Sequence, residues 1–248
     1  MLPITSKISI VAAFLLIVAC QGDTTKMHRF AVHGIDVSHY QRRINWDTVA
    51  GQGIDFVFIK ATEGAEYNDS IFHSNWMEVK RAGMKRGAYH FFRPGISARA
   101  QARNFMRHVS LEEGDLPPVL DVEVRDGVVP DRLVDSVRLW LDLVQEKLAM
   151  QPVLYSNLKF YDEYLSGHFA DTPLWIARYY HQEPFLAGEK DWHFWQYGNR
   201  GRLAGIEGYV DFNVFNGTME ELEKLTRTTD KAVFSAGAED YSETLTAP

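Results

Sequence analysis

Two carboxylic acids, Asp121 and Glu123, lie two positions apart in an otherwise apolar segment, residues 116–124. In a β-strand, residues two positions apart point to the same face. Two carboxyls held about 6–7 Å apart in a partly dry pocket repel each other's charge, which raises the pKa of one and leaves the other ionised. A proton donor beside an anion is what acid-catalysed glycoside cleavage requires. Two acids that bind a nearby arginine or cap a loop are the alternative interpretation.

Two further acids, Asp36 and Asp211, fall in the predicted first and last strands. These strands become neighbours when a sheet closes into a barrel, so the two acids would stand side by side, across from Asp121 and Glu123. Each of them alone could cap a turn or bind backbone. An unpaired buried charge is costly, so four acids converging from three strands favour a functional role over a structural one.

Aromatic and amide side chains lie near the predicted C-terminal ends of several strands. Sugar rings have apolar faces, so a glycan-binding cleft offers aromatic surfaces with a few polar groups. The candidate substrate-binding residues are Tyr89, Tyr155, Tyr179, Trp195 and Gln196. For each of the aromatic residues, the alternative interpretation is that its ring packs in the hydrophobic core. Trp195 and Gln196 are adjacent, and the sequence does not decide which of them faces the cleft.

Metal-dependent chemistry has little support in the sequence. No HExxH motif occurs, and His33, His39 and His90 fall in different strands without the spacing of metal ligands. We therefore expect catalysis without a metal or a cofactor. Lys60 could form a Schiff base inside a barrel, but an ion pair with Glu63 or with one of the clustered acids is the favoured interpretation.

The elements that must position these residues alternate between short apolar segments and helical patterns, which is the order of parallel βαβ units. A helix is expected after each of the first five strands, whereas the last three follow one another almost directly. This predicts an α/β fold, a single barrel that starts as β/α units and ends as plain β. An open doubly wound sheet is the alternative, but no Gly-rich phosphate loop follows the first strand. The eight predicted strands span residues 33–39, 54–62, 86–92, 118–124, 152–156, 174–179, 193–197 and 209–215.

Helix start signals accompany this pattern. Asn45, Ser70 and Ser97 are predicted to open helices at 46–50, 71–82 and 98–109, and Thr218 or Gly217 to open a closing helix that ends at residue 225. The longest helix is predicted between Pro130 and Met150. Its apolar residues repeat at three- and four-residue spacing, at Leu133, Val137, Leu141, Val144 and Leu148.

Composition limits the classes of function. The 248 residues are 46% hydrophobic and 24% charged, which excludes a coiled coil or a disordered acidic tail. The formal net charge of −7 gives no basic surface for nucleic acid, so no nucleic-acid partner is expected. We expect the chain to act as a monomer.

The N-terminal region predicts export. Residues 8–19 form an apolar run that is too short to span a bilayer but suits a secretion signal, with a buried first element as the alternative. The run ends at Cys20, the one cysteine, in a sequence that resembles a bacterial lipobox. We therefore expect a signal peptide at 1–19, a lipid anchor on Cys20 that ties the exported protein to a bacterial membrane, and a tether at 20–32. The barrel is expected at 33–226, followed by a mobile tail at 227–248.

Several sequence blocks, in order along residues 33–217, resemble glycoside hydrolase family 25, the Chalaropsis-type lysozymes. They include GIDVSHYQ (34–41), FIKATEG (58–64), GAYHF (87–91), DVE (121–123), FWQY (194–197) and VDFN (210–213). The resemblance implies a (β/α)5(β)3 barrel and an N-acetylmuramidase that cleaves peptidoglycan glycan strands. It also implies that Glu123 is the general acid, that Asp121 assists it, and that Asp36 and Asp211 complete the acidic cluster.

The resemblance leaves the route of cleavage open. Asp121 could be a nucleophile, or it could orient the 2-acetamido group of the sugar as an internal nucleophile. The strand spacing of about 6–7 Å exceeds the roughly 5–5.5 Å of a two-carboxylate retaining pair, which favours the acetamido route. We expect retention of configuration. The rival functions are a lipid-anchored glycan-binding barrel without catalysis and a chitinase-like hydrolase.

Overall fold

Eight strands close into a barrel in the computed structural model, which describes residues 29–180, 182–186 and 191–228. A ninth strand of two residues, β3, adds antiparallel to the end of β2 and was not predicted. The closed barrel and its single domain confirm the predicted fold class. The strands are β1 Val32–Val37, β2 Phe56–Glu63, β3 Tyr67–Asn68, β4 Lys85–Phe91, β5 Val119–Asp121, β6 Val153–Asn157, β7 Leu174–Ala177, β8 Phe194–Gly201 and β9 Val210–Phe215.

The direction of β9 differs from that of the other barrel strands. Pairing is parallel from β1 through β2, β4, β5, β6 and β7 to β8, whereas β9 is antiparallel to both of its neighbours, β8 and β1. The start of β9 therefore lies at the end of the barrel where the parallel strands finish. That end carries the active site in barrels of this kind.

A helix follows each of the first five long strands, as predicted. None lies between β7, β8 and β9 in the part of those connections that the structure describes. Within the described residues, none of these helices is long and apolar enough to cross a membrane. The helices are α1 Trp46–Ala50, α2 Phe72–Arg81, α3 Ala98–His108, α4 Pro130–Leu148, α5 Leu158–Phe160, which continues as a π-helical turn at Tyr161–Leu165, and α6 Met219–Leu225.

Three of the predicted helix start signals are confirmed. The side chains of Asn45, Ser97 and Thr218 each accept a hydrogen bond from a backbone N–H in the first turn, which satisfies a donor left without a helical partner. The prediction for Ser70 is wrong. The buried Asp69 instead accepts from the Ile71 N–H at 3.1 Å, and α2 begins two residues after Ser70.

Alternation along the strands separates two layers of side chains. Residues facing outward pack against the helices, and those facing inward form a second cluster inside the barrel. Gly34 and Gly87 provide room inside, because a Cβ at either position would overlap the ring of Phe56 or Phe58. The inner cluster includes Val32, Phe56, Phe58, Val119, Val153, Tyr155, Trp175, Phe194 and Phe215.

The structure changes the expected limits of the barrel. Phe30, in the predicted tether, packs against Trp192 and Trp195 with ring centroids 5.8 and 6.1 Å away. Arg227, in the predicted tail, donates from its backbone to the Asp115 carbonyl and from its guanidinium to the Leu148 carbonyl, each at 2.8 Å. The barrel therefore holds residues on both sides of 33–226. The predicted signal peptide, Cys20 and residues 229–248 lie outside the described residues.

Candidate active site

All four predicted acids line one cleft at the C-terminal end of the parallel strands, with a volume of about 250 Å³. Asp36 and Asp121 lie at the strand ends, while Glu123 follows two residues after β5. Asp211 comes from the start of β9, which the reversed direction of that strand brings to the same place. Apolar rings on the inward-facing sides of the strands fill the barrel beneath the cleft. At the cleft itself, the inward-facing positions carry polar side chains.

Asp121 and Glu123 form a coupled pair of carboxyls. Asp121 is 6% exposed, whereas Glu123 is partly exposed to the cleft. Burial raises the pKa of both carboxyls, and the charge of Glu123 raises the pKa of Asp121 further. A hydrogen-bond interaction between the two carboxyls raises the pKa of Asp121 and lowers the pKa of Glu123, so the two side chains lie close to each other.

Two neighbours act on this pair. The positive charge of Lys60 lowers the pKa of both carboxyls, and a hydrogen bond to Asn157 lowers the pKa of Glu123. One oxygen of Asp121, Oδ1, is buried without a hydrogen-bond partner among the described residues. An unsatisfied buried acceptor disfavours the ionised form, in keeping with the raised pKa of Asp121.

Asp36 and Asp211 face each other across the β1–β9 ladder, where they are paired in register. The side-chain amides of Gln196 and Asn213 each donate to Asp36 Oδ2 at 2.8 Å. Burial and the charge of Asp211 nevertheless raise the pKa of Asp36 well above its usual range. Burial also raises the pKa of Asp211, to about 6.

Gln196 connects this second pair to two tyrosines. The hydroxyls of Tyr155 and Tyr179 donate to Gln196 Oε1 at 2.9 and 2.8 Å, while its amide group donates to Asp36. Since each hydroxyl uses its proton on Gln196, its oxygen offers lone pairs to a ligand in the cleft. Tyr89 also lines the cleft, and burial raises the pKa of its hydroxyl.

The structure does not bring Trp195 to the cleft, contrary to the prediction. Gln196 points inward, so alternation turns Trp195 outward, where it is 1% exposed. Its ring contacts Trp192, and its indole N–H donates to the Arg178 carbonyl at 2.9 Å. We therefore assign it no contact with substrate.

Sequence reasoning missed Trp175 and Asn213. Trp175 lines the cleft, packs on Tyr155 at 4.5 Å and donates from its indole N–H to Asn213 Oδ1 at 2.8 Å. Asn213 lies two residues after Asp211 and shares its strand face. The same spacing rule that paired Asp121 with Glu123 would have found it.

Lys60 is the one lysine or arginine among the side chains that line this cleft. Its ammonium donates to Glu63 Oε2 at 2.7 Å, as predicted, and lies 5.0 Å from the centre of the Phe91 ring. In the described part of the chain, no three His, Cys, Asp or Glu side chains are arranged as metal ligands.

Comparison with known proteins agrees with this geometry. Residues 35–206 match the model of Glycosyl hydrolases family 25. The chain is 45% identical over 199 residues to "Uncharacterized protein YegX" of Escherichia coli K12, covering 78% of this chain and 73% of that one. It is 36% identical over 212 residues to "Lysozyme M1" of Streptomyces globisporus, covering 80% and 72%.

A solved structure extends the likeness to the fold. The barrel superposes on a family 25 glycosyl hydrolase from Bacillus anthracis with a TM-score of 0.76 and 34% identity, covering 80% of this chain and 95% of that one. The residues matched by the family model include Asp36, Asp121 and Glu123, whereas Asp211 lies beyond residue 206. On these grounds, the chain belongs to family 25 of the glycosyl hydrolases.

Proposed function

We propose that this glycoside hydrolase is a lysozyme that cleaves the β-1,4 bond between N-acetylmuramic acid and N-acetylglucosamine in peptidoglycan. Glu123 is the general acid and base, and Asp121 assists it. The observation that carries the proposal is the coupled carboxyl pair at the cleft of a family 25 barrel. Relatives named as lysozymes support the choice of substrate.

Glu123 is the member of the pair that a glycosidic oxygen can reach, because Asp121 is buried more deeply. Its raised pKa keeps a proton available for the leaving oxygen. After the bond breaks, the Glu123 carboxylate accepts a proton from the attacking water, which restores the starting state.

Asp121 supplies negative charge as positive charge develops at the anomeric carbon. In the acetamido route, its carboxylate holds the N–H of the 2-acetamido group while that group's oxygen attacks the anomeric carbon. In the alternative route, Asp121 itself attacks. The contact between its carboxyl and Glu123 reduces the weight of the strand-spacing argument, so both routes stay open. Either predicts retention of configuration.

Gln196 and the two tyrosines position the sugar. The lone pairs of the Tyr155 and Tyr179 hydroxyls accept hydrogen bonds from sugar hydroxyl or amide groups. Trp175 and Tyr89 contribute ring surfaces to the cleft wall. This set of groups suits an N-acetylated sugar.

Product analysis tests the proposal. The full-length chain, purified in detergent, is incubated with peptidoglycan, and the new reducing ends are reduced with borohydride and identified by mass spectrometry. Reduced muramic acid ends from the wild type and none from Glu123→Gln support a muramidase with Glu123 as the acid. Reduced glucosamine ends would mean that the other bond is cleaved. Cleavage of chitin oligomers instead would favour a chitinase-like enzyme.

The non-catalytic alternative has its own outcome. A folded wild type that sediments with peptidoglycan but releases no products would favour a glycan-binding barrel. The coupled carboxyl pair argues for catalysis, because a binding module gains nothing from acids whose pKa values burial has raised.

We further propose that the chain is exported and tied to a bacterial membrane by a lipid on Cys20, and that it acts as a monomer. The lipobox-like sequence before Cys20 supports the anchor. Cell fractionation tests it: the wild type should sediment with membranes and Cys20→Ser should not. Equal membrane association of both would contradict the anchor.

A further inference from the structure

A second groove begins where the catalytic cleft ends. It lies between α5 with its π-helical turn and the segment that follows β7, and its volume is about 670 Å³. Tyr179 lines both the groove and the cleft. Asn157, a neighbour that lowers the pKa of the general acid Glu123, is also part of the groove wall. The groove therefore branches from the cleft beside the proton donor.

The groove carries charged side chains of both signs. Lys159 and Arg178 supply positive charge, and Asp162 and Glu163 supply negative charge. Neither Lys159 nor Asp162 forms an ion pair with another described residue, and both are exposed. Exposed charges without an ion-pair partner in contact are available to a charged ligand, and the nearest opposite charge to Asp162 in the groove, Arg178, acts on it only at a distance, by lowering its pKa. The catalytic cleft, by contrast, offers Lys60 as its one lysine or arginine, and Glu63 already binds it.

The proposed substrate has a group that matches this groove. Muramic acid bears a lactyl ether that is amide-linked to a short peptide with free carboxylates and a side-chain amine. This peptide branches from the glycan at the sugar whose bond is cleaved. A peptide that leaves the glycan at this sugar needs a groove that leaves the cleft at the same place. A peptide that carries both carboxylates and an amine needs charged side chains of both signs in that groove. The groove volume is in the range that holds a ligand of a few residues.

We propose that the groove lined by Lys159, Asp162 and Arg178 binds the stem peptide of muramic acid, so that the enzyme prefers peptide-bearing glycan strands to bare ones. This inference rests on the muramidase function proposed above. The peptide contributes binding energy beside the general acid and helps to hold the scissile bond against Glu123.

A substrate pair tests the proposal. Soluble glycan strands of one length are prepared with their peptides, and a matched portion is stripped of peptide by an amidase. The full-length wild type, purified in detergent, should give a kcat/KM at least about fivefold higher on the peptide-bearing strands. The double variant Lys159→Gln/Asp162→Asn should lose most of this preference and keep its kcat/KM on bare strands.

Control variants separate the groove from a general effect of surface charge. Lys224→Gln/Asp142→Asn removes the same charges from exposed positions outside both the groove and the cleft, and it should retain the wild-type preference. A direct measurement uses Glu123→Gln as the parent protein. Its dissociation constant for a disaccharide-peptide should be lower than for the bare disaccharide, and the two groove substitutions should remove the difference.

Three results would overturn the groove assignment alone: equal cleavage of both strands by the wild type, a double variant that keeps the preference, or equal losses on both strands. Each of these leaves the muramidase function standing. Absence of cleavage of either strand by the wild type would instead overturn the muramidase proposal, and the peptide groove with it.

Discussion

Burial gives Asp121 and Glu123 different tasks, although both side chains end in a carboxyl. Asp121 is buried with 6% of its surface exposed, while Glu123 keeps an open side toward the cleft. Their mutual repulsion disfavours a double negative charge, and Lys60 disfavours full neutralisation. The pair thus tends to hold one proton and one charge. That state provides the acid and the anion that glycoside cleavage needs together.

Glu123→Gln should lower kcat by about a thousandfold and leave KM within about twofold, because the amide cannot donate the proton to the leaving oxygen. Steady-state kinetics on soluble glycan strands measure both values. Glu146→Gln, on the exposed face of α4, is the matched control and should retain wild-type rates. A loss of less than about tenfold in Glu123→Gln would remove Glu123 from the role of general acid.

Asp211→Asn should stabilise the fold at neutral pH. The folded-state pKa of Asp211 is raised from 3.8 to about 6, so the folded state binds the proton more tightly than the unfolded state. The stability that this group contributes is present below pH 4 and is lost as the pH rises to about 6. The variant avoids that loss and should gain up to about 3 kcal/mol at pH 7.5, with little gain at pH 4.

Urea unfolding at the two pH values measures this difference. Asp142→Asn, an exposed position on α4, serves as the control and should show no pH-dependent gain. Equal stability of Asp211→Asn and the wild type at pH 7.5 would show that the buried charge is compensated elsewhere.

Lys60→Gln should shift the whole pH–activity profile to higher pH. Lys60 lowers the pKa of Asp121 and of Glu123, so its removal raises both. Glu123 would then keep its proton to higher pH, and Asp121 would lose its proton only at higher pH. The kcat/KM profile between pH 4 and 9 reports both limbs. A profile that drops in height without moving would indicate a structural role for Lys60.

At the scale of the strands, the reversed direction of β9 brings one of the four acids, Asp211, to the cleft. In a run of parallel strands, only residues at the strand ends reach the cleft, as Asp36 and Asp121 do. Because β9 is antiparallel, its first residues reach the cleft and its last residue, Phe215, pairs with Val32 at the far end. Asp211 therefore belongs to the site although it lies near the start of its strand.

The inner face of the barrel needs glycine where two large rings converge. Gly87→Ala should destabilise the fold by about 1–3 kcal/mol, since the added Cβ would overlap the Phe58 ring and force it to move. Gly51→Ala is the control, because its nearest neighbour would lie 3.7 Å away and its φ of −70° suits any residue. Thermal unfolding compares the two variants. A fully stable Gly87→Ala would show that the rings have free space around them.

The sequence predicted the eight barrel strands, most of the helix starts and all four acids, because strand alternation and capping are local properties. It could not predict side-chain orientations and contacts that depend on how neighbouring strands pair and where they end. Which of Trp195 and Gln196 faces the cleft depends on the register in which β8 pairs with β7 and β9. The contact between Asp121 and Glu123 depends on β5 ending at Asp121, which frees Glu123 from strand geometry.

At the scale of the whole molecule, both ends of the described chain lie at the face opposite the cleft. The first residues of β1 are at that face, since β1 reaches the cleft at Asp36. The last helix, α6, follows β9 and packs Leu222 against the bottom of the inner cluster. An anchor on Cys20 would join the barrel through residues 21–28, which extend at most about 30 Å. The proposed anchor would therefore lie nearer the far face than the cleft, leaving the cleft open toward the cell wall.

Fluorescence resonance energy transfer from the protein to the membrane tests this orientation. Cys20 is the one cysteine and would carry the lipid, so a single introduced cysteine can be labelled alone. We would place a donor at Gln145→Cys, on the exposed end of α4 at the far face, or at Glu66→Cys, exposed beside the cleft. With the lipidated protein in vesicles that contain an acceptor lipid, transfer should be clearly more efficient from position 145 than from position 66. The barrel is about 30–40 Å tall with its loops, a span over which transfer efficiency changes steeply.

Equal or reversed efficiencies would mean that the barrel tumbles on its tether or presents the cleft to the membrane. Substrate would then have to reach the active site along the bilayer surface.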